Sequence, residues 1–146
     1  MIHYSDTSFL FSIYVNDIHS AVAVRTMNRL SERVLITPVG EVELCNAIQL
    51  QVFRKFITAH AAQAATQAFE HDIVSGVLAP QPLSAITFVI AKRLAAQHTP
   101  TLGTRGFDLI HVASAMALQA DVFLSFDKNQ RKLAQATGLT IYPKTL

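Results

Sequence analysis

The chain of 146 residues has one cysteine, no tryptophan, five glycines and little charge. Cys45 alone cannot build an intrachain disulfide, and zinc-finger ligation needs paired Cys or His ligands at fixed spacing, so neither brace is expected. A single thiol fits a reducing compartment. The few glycines form no GxxxxGK[ST] or GxGxxG string, and no GxSxG elbow occurs, which removes the nucleotide-loop and serine-hydrolase readings. Lys and Arg total 12 against 10 Asp and Glu, a net charge of +2. That balance is too even to indicate nucleic-acid binding from charge alone. The longest uncharged stretch, residues 73–91, is broken by Gly76, Pro80 and Pro82, which argues against a membrane span. The first six residues carry an acid and no base ahead of an apolar run, unlike a signal peptide. These absences predict a soluble, cytoplasmic protein.

What is present is apolar: 51% of the residues are hydrophobic. A chain of this length buries roughly two-thirds of its unfolded surface, enough for one independently folding domain over residues 1–146. Disorder is excluded by the same composition. The apolar excess also suggests a surface for a partner or a second copy, with the helices at 18–31 and 58–75 as candidates.

Segments alternate in character along the chain. Strands are expected at 1–5, 34–36, 76–80, 121–126 and 139–142. Helices are expected at 8–15, 18–31, 40–57, 58–75, 83–98, 108–118 and 128–136, with a Pro/Gly-marked loop at 98–104. Such alternation predicts an α/β domain, and strands without polar alternation predict a mostly parallel sheet covered by helices on both faces.

With only ten acids, each placement can be weighed. Asp6 follows the first strand, Asp127 follows the fourth, Asp108 opens the apolar helix before it, and Glu41 and Glu43 follow the second strand. The carboxyl edge of a parallel sheet is where ligands bind, so these acids are candidates to share one crevice. Clustered carboxylates repel one another unless a cation resolves the charge, and oxygen-only ligands suit Mg²⁺ or Mn²⁺. Taken singly, each acid reads more readily as an ordinary cap or turn residue. At roughly 100° per residue the two glutamates point about 200° apart, so both cannot line one site, and periodicity does not choose between them.

Four stretches spanning nearly the whole chain resemble the PIN-domain ribonucleases, in particular the VapC-like toxins of type II toxin–antitoxin modules. They are Tyr4-Ser5-Asp6-Thr7-Ser8, Val42-Glu43-Leu44-Cys45-Asn46-Ala47-Ile48, Arg105-Gly106-Phe107-Asp108-Leu109-Ile110-His111-Val112-Ala113-Ser114-Ala115, and Leu124-Ser125-Phe126-Asp127-Lys128-Asn129-Gln130. The resemblance implies a three-layer α/β/α fold with Asp6, Glu43, Asp108 and Asp127 as catalytic and metal-holding acids, and it selects Glu43 over Glu41. It implies an Mg²⁺-dependent endoribonuclease, with Mn²⁺ able to substitute, that leaves 3′-hydroxyl and 5′-phosphate ends and is restrained by a cognate antitoxin. Ser125 stands where many members carry threonine. A homodimer is expected from the apolar composition. An antitoxin is expected to bury apolar side chains and to bring a basic side chain near the acids.

Around the acids, Thr7, Asn46, Ser125 and Asn129 are candidates to support them, and Arg105, Lys128 and Arg131, with Lys132 nearby, are candidates to bind RNA phosphates. Arg54 and Lys55 could extend an RNA-binding rim. The six histidines show no paired metal-ligand spacing, and His111 reads as a structural histidine able to approach the site from Asp108's helix face. Cys45 reads as a small core residue. Two other classes compete. One is a catalytically silent PIN-like module that binds RNA or protein. The other is a phosphotransfer receiver domain, which lacks here the acid pair such domains carry after the first strand.

Overall fold

The computed structural model describes residues 1–145. Five short strands, β1 (His3–Ser5), β2 (Val34–Ile36), β3 (Leu78–Pro80), β4 (Val122–Leu124) and β5 (Thr140–Tyr142), form one sheet in the order β3-β2-β1-β4-β5. Every pairing is parallel, with Tyr4 opposite both Leu35 and Phe123. Seven helices connect them: α1 (Thr7–Tyr14), α2 (Ser20–Met27), α3 (Pro38–Phe53), α4 (Ala59–Val74), α5 (Ala85–Leu102), α6 (Gly106–Ala117) and α7 (Lys128–Ala136).

The period of two along each strand divides the core into two halves. Val34, Ile36, Val122 and Leu124 point to one face and pack with Phe9, Leu10, Leu44, Ile48 and Phe69 from α1, α3 and α4. Tyr4 and Phe123 point to the other and pack with Leu94, Val112 and Leu133 from α5, α6 and α7. Their rings stack at 5.7 Å. The result is the expected three-layer α/β/α sandwich. Because β1 is central, the chain passes to β2 on one side and later to β4 on the other. The sheet order therefore reverses beside the carboxyl end of β1, the place where an open α/β sheet forms its crevice.

Three local expectations are corrected. The segment 98–104 is not a loop, since α5 runs through Pro100 to Leu102 and stops at Gly103, whose φ of 63° is the left-handed cap position. Proline removes one hydrogen bond there, but in the last turn that loss costs little because Gly103 N–H closes on Thr99 O. The helix expected from residue 108 begins at Gly106, so Asp108 lies at its third position rather than at its start. Cys45 is exposed, because the buried stripe of α3 runs through Leu44 and Ile48 and leaves it one step around the helix.

Candidate active site

A cleft of about 810 Å³ opens at the carboxyl edge of β1 and β4. Glu43, Asp108 and Asp127 line it, together with Thr7, Ser8 and Arg105. Asp6 lies outside that lining and is fully buried. It caps α1 by accepting from Phe9 N–H at 2.9 Å. It also accepts from Ser8 Oγ at 2.8 Å and from Ser125 Oγ at 2.6 Å. Burial pushes its carboxyl up, and nearby His111, the two hydroxyls and the Phe9 amide only partly offset that cost.

Ser8 joins Asp6 to the Asp127 loop. Its hydroxyl has one proton to give and two lone pairs, and it accepts from Phe126 N–H at 2.9 Å and Asp127 N–H at 3.1 Å while donating to Asp6. In the sequence, Ser8 is marked only by its place in the first of the four stretches. Its spacing of two from Asp6 carries no signal that it spans the two strand ends.

Glu43 projects from α3 into the cleft, half-buried, while Glu41 does not line it and instead lies near Cys45. Thr7 Oγ1 donates to Glu43 Oε1 at 2.8 Å, and His111 Nε2 meets the same oxygen. Burial alone raises the Glu43 carboxyl, but the bonds from His111 and Thr7 and the charge of Arg105 outweigh it and hold the group below its ordinary value. His111 is wholly buried, and its Nδ1 lies 2.8 Å from the Tyr4 hydroxyl. A carboxylate oxygen only accepts, so Nε2–H donates to Glu43, and burial pushes the Tyr4 phenol far up, so Tyr4 faces Nδ1 as a neutral hydroxyl. His111 thus exceeds the structural role read from its spacing and touches a site acid directly.

Asp108 is almost fully buried and closes the first turn of α6 by accepting from Arg105 N–H at 2.9 Å. The Arg105 side chain folds back on it, with Nε to Oδ2 and Nη2 to Oδ1 both at 3.2 Å. Nη2 also reaches Asp127 Oδ2 at 3.2 Å. A guanidinium therefore sits between two of the acids, and both carboxylates push its own ionisation up. Asp127 caps α7 through Asn129 N–H at 2.8 Å and Gln130 N–H at 3.0 Å.

The other expected residues fall in different places. Asn46 is exposed and borders a smaller apolar groove with Val42, Glu43 and Phe107. The Asn129 side chain is exposed, and only its backbone serves Asp127. Arg131 donates to the carbonyls of Ser125 and Pro143, both at 2.8 Å, and so fixes the loop that carries Ser125. Lys128 is exposed one residue past Asp127. A fifth acid, Asp17, lines the far wall of the cleft, where it accepts from Ser12 Oγ and His19 N–H. Its position in the turn after α1 gave no pattern to find it by.

The donors gathered at this edge are mainly oxygen, four carboxylates and the hydroxyls of Thr7, Ser8 and Ser125, with the His19 imidazole also on the cleft wall. That suits a hard divalent cation, and the Arg105 guanidinium already occupies the position of a cation between Asp108 and Asp127. Among the described residues, no three Asp, Glu, His or Cys side chains converge closely enough to hold an ion as they stand. A metal would have to displace Arg105 and draw the carboxylates together.

A PIN-domain family model matches residues 4–136. Among solved structures, the chain is similar to Mycobacterium tuberculosis VapC20, described as a Sarcin-Ricin loop cleaving toxin, with a TM-score of 0.69 at 20% identity over 94% of this chain and 95% of that one. It is similar to VapBC2 from Rickettsia felis, solved on a DNA fragment from its promoter, with a TM-score of 0.69 at 16% identity over 97% of both chains. VapBC-1 from nontypeable Haemophilus influenzae gives a TM-score of 0.65 at 16% identity over 97% of this chain and 96% of that one. At these identities the likeness is one of fold. No curated protein sequence matches the chain.

Proposed function

The chain belongs to the PIN-domain family, and on that footing we propose that it is a metal-dependent endoribonuclease, the toxin of a toxin–antitoxin pair. The observation that carries the proposal is the Arg105 bridge: Asp108 and Asp127, from different elements, are held by one cation at the switch point of a parallel sheet. Asp6, Glu43, Asp108 and Asp127 would hold Mg²⁺, or Mn²⁺ in its place, with Thr7 and Ser125 ordering Glu43 and Asp6. When bound, such an ion supplies an activated water and offsets charge on the phosphoryl oxygens.

The rest is work for the chain's own residues. His111 and Thr7 hold Glu43 ionised and oriented. Ser8 and Ser125 fix Asp6 against the Asp127 loop. Arg105, once released from the acids, is placed to grip the phosphate at the cleft mouth. Water adds to phosphorus as the bond to O3′ breaks, which leaves a 3′-hydroxyl and a 5′-phosphate. An antitoxin partner and a homodimer belong to the same reading, and the exposed rings of Phe53 and Phe56 support a partner surface. No helix among the described residues is long and apolar enough to cross a membrane.

The test is incubation of the purified chain with a mixed RNA pool in Mg²⁺, in Mn²⁺ or in EDTA, beside Asp6→Asn. The expected result is metal-dependent cleavage with those ends, absent in EDTA and in the variant. Equal cleavage in EDTA, or by Asp6→Asn, overturns the proposal. A silent binding module is the second reading. It is favoured by the carboxylates' present spacing, and it predicts RNA or protein binding without cleavage.

A further inference from the structure

A second cleft, of about 490 Å³, lies along α7 and β5. Lys128, Arg131, Lys132 and Gln135 face it at i, i+3, i+4 and i+7, while Asp127 and Gln130 of the same segment face the acid-lined cleft. Lys144 completes its wall, and among the described residues no acid lines it. Four of the chain's 12 Lys and Arg residues thus gather at one place.

Lys128, Lys132 and Lys144 are exposed, and among the described residues none of them joins an ion pair. Arg131 is different, because its bonds to the Ser125 and Pro143 carbonyls hold the cleft in shape. Three ammonium groups without an ion-pair partner around a fixed guanidinium concentrate positive charge that a polyanion would neutralise, and Lys144 Nζ is held there 5.9 Å over the Tyr142 ring.

The neighbouring site needs such a cluster. An RNA strand entering a cleft lined by carboxylates meets repulsion at each one, so its affinity has to come from cations beside the acids. Lys128 directly follows Asp127, and Lys132 lies one helical turn beyond, about 6 Å along the axis. A strand laid on this stripe is led to the Asp127 edge of the acid-lined cleft.

We propose that the α7–β5 cleft is a phosphate-binding subsite that holds the RNA backbone flanking the cleavage point, with Lys128, Lys132 and Lys144 contacting phosphates and Arg131 setting the floor. This rests on the nuclease reading of the acids. It gives the chain a binding surface for substrate that is separate from its reacting groups.

The test is binding of a fluorescein-labelled single-stranded RNA of about 20 nucleotides to the full chain in EDTA, across a salt series, by fluorescence anisotropy. Removing one phosphate-binding cation lowers the slope of log affinity against log salt by about 0.7, so K128Q/K132Q/K144Q should lower it by about 2. The charge-keeping K128R/K132R/K144R should retain the slope, and R33Q/K92Q/R93Q, which removes three charges that line neither cleft, should leave it nearly unchanged. In metal, the triple Gln variant should raise KM and keep kcat. An unchanged slope in that variant while the wild type still cleaves RNA overturns the subsite and leaves the nuclease reading standing. An equal drop in the control triple also overturns the subsite, since net charge alone would then explain it. If the wild type neither binds nor cleaves RNA, or prefers polyglutamate to RNA, the subsite falls together with that reading.

Discussion

His111 Nε2 lies 2.5 Å from Glu43 Oε1, joining the buried face of α6 to the acid that α3 sends into the cleft. The bond continues through Nδ1 to Tyr4 on the central strand, so three elements are tied through one imidazole. Replacing His111 by Ala should cost about 2–4 kcal/mol in urea unfolding, because it opens a cavity and leaves the Tyr4 hydroxyl and the Glu43 carboxylate each short of a partner. His111→Gln restores a donor toward Glu43 and should recover part of that loss. Equal stability of His111→Ala and the wild type would show that the link does not hold the three elements together.

Ser8 is the second tie. Ser8→Ala removes the acceptor of both the Phe126 and Asp127 amides along with a donor to Asp6. The expected loss is about 1–3 kcal/mol, read by the same unfolding assay. Accelerated amide exchange at Phe126 and Asp127 should accompany it.

Asp6 and Glu43 should give opposite pH signatures in the metal-free protein. Asp6 is raised in the folded state, so the fold binds its proton more tightly than the unfolded chain does. Its ionisation destabilises the protein above that raised value, and the penalty fades as pH falls toward the ordinary carboxylate range. Asp6→Asn should therefore raise the Tm at neutral pH and lose that advantage in acid. Glu43 is depressed, so its contribution is present above the ordinary glutamate range and is lost as pH falls through the lowered value. Glu43→Gln should therefore be least stable relative to wild type near neutrality. Tm curves from pH 3 to 8 for the three proteins check both signs.

Arg105 occupies the cation position between Asp108 and Asp127 and is largely exposed, so its bridge is screened and worth little to stability. Its effect should appear in competition. Arg105→Gln should bind Mn²⁺ more tightly in calorimetry, by a few-fold to about tenfold, or up to about 1.4 kcal/mol. Weaker Mn²⁺ binding by the variant would mean that the guanidinium does not stand where the ion goes.

Much of this was legible in the sequence. The five strands and seven helices appear in the expected order, because β-branched runs bounded by Pro or Asp and apolar stripes at helical spacing are local signals. The acids at the ends of β1 and β4 could be placed near one edge because a parallel sheet puts all such ends together. The connections among them were not legible. Ser8 and His111 act through partners more than a hundred and more than sixty positions away, and no periodicity records pairings of that range. Pro100 reads as a helix stop, yet in the final turn of α5 the tertiary packing before it decides. Lys128, Arg131 and Lys132 were legible as phosphate candidates from their place after Asp127, whereas Lys144, which joins them across β5, was not.

The central claim is that the acids at this edge hold a divalent metal. The most direct measurement is the Tm of the wild type and of Asp108→Asn against added Mn²⁺ and Mg²⁺. An ion that binds only the folded state stabilises it by about 2.7 kcal/mol at a hundredfold excess over Kd, or roughly 5–10 °C for a domain of this size. The account predicts that rise in the wild type and its near absence in Asp108→Asn. The same response in both proteins, or none in either, would contradict it and leave the carboxylates as caps and bridges of a binding module.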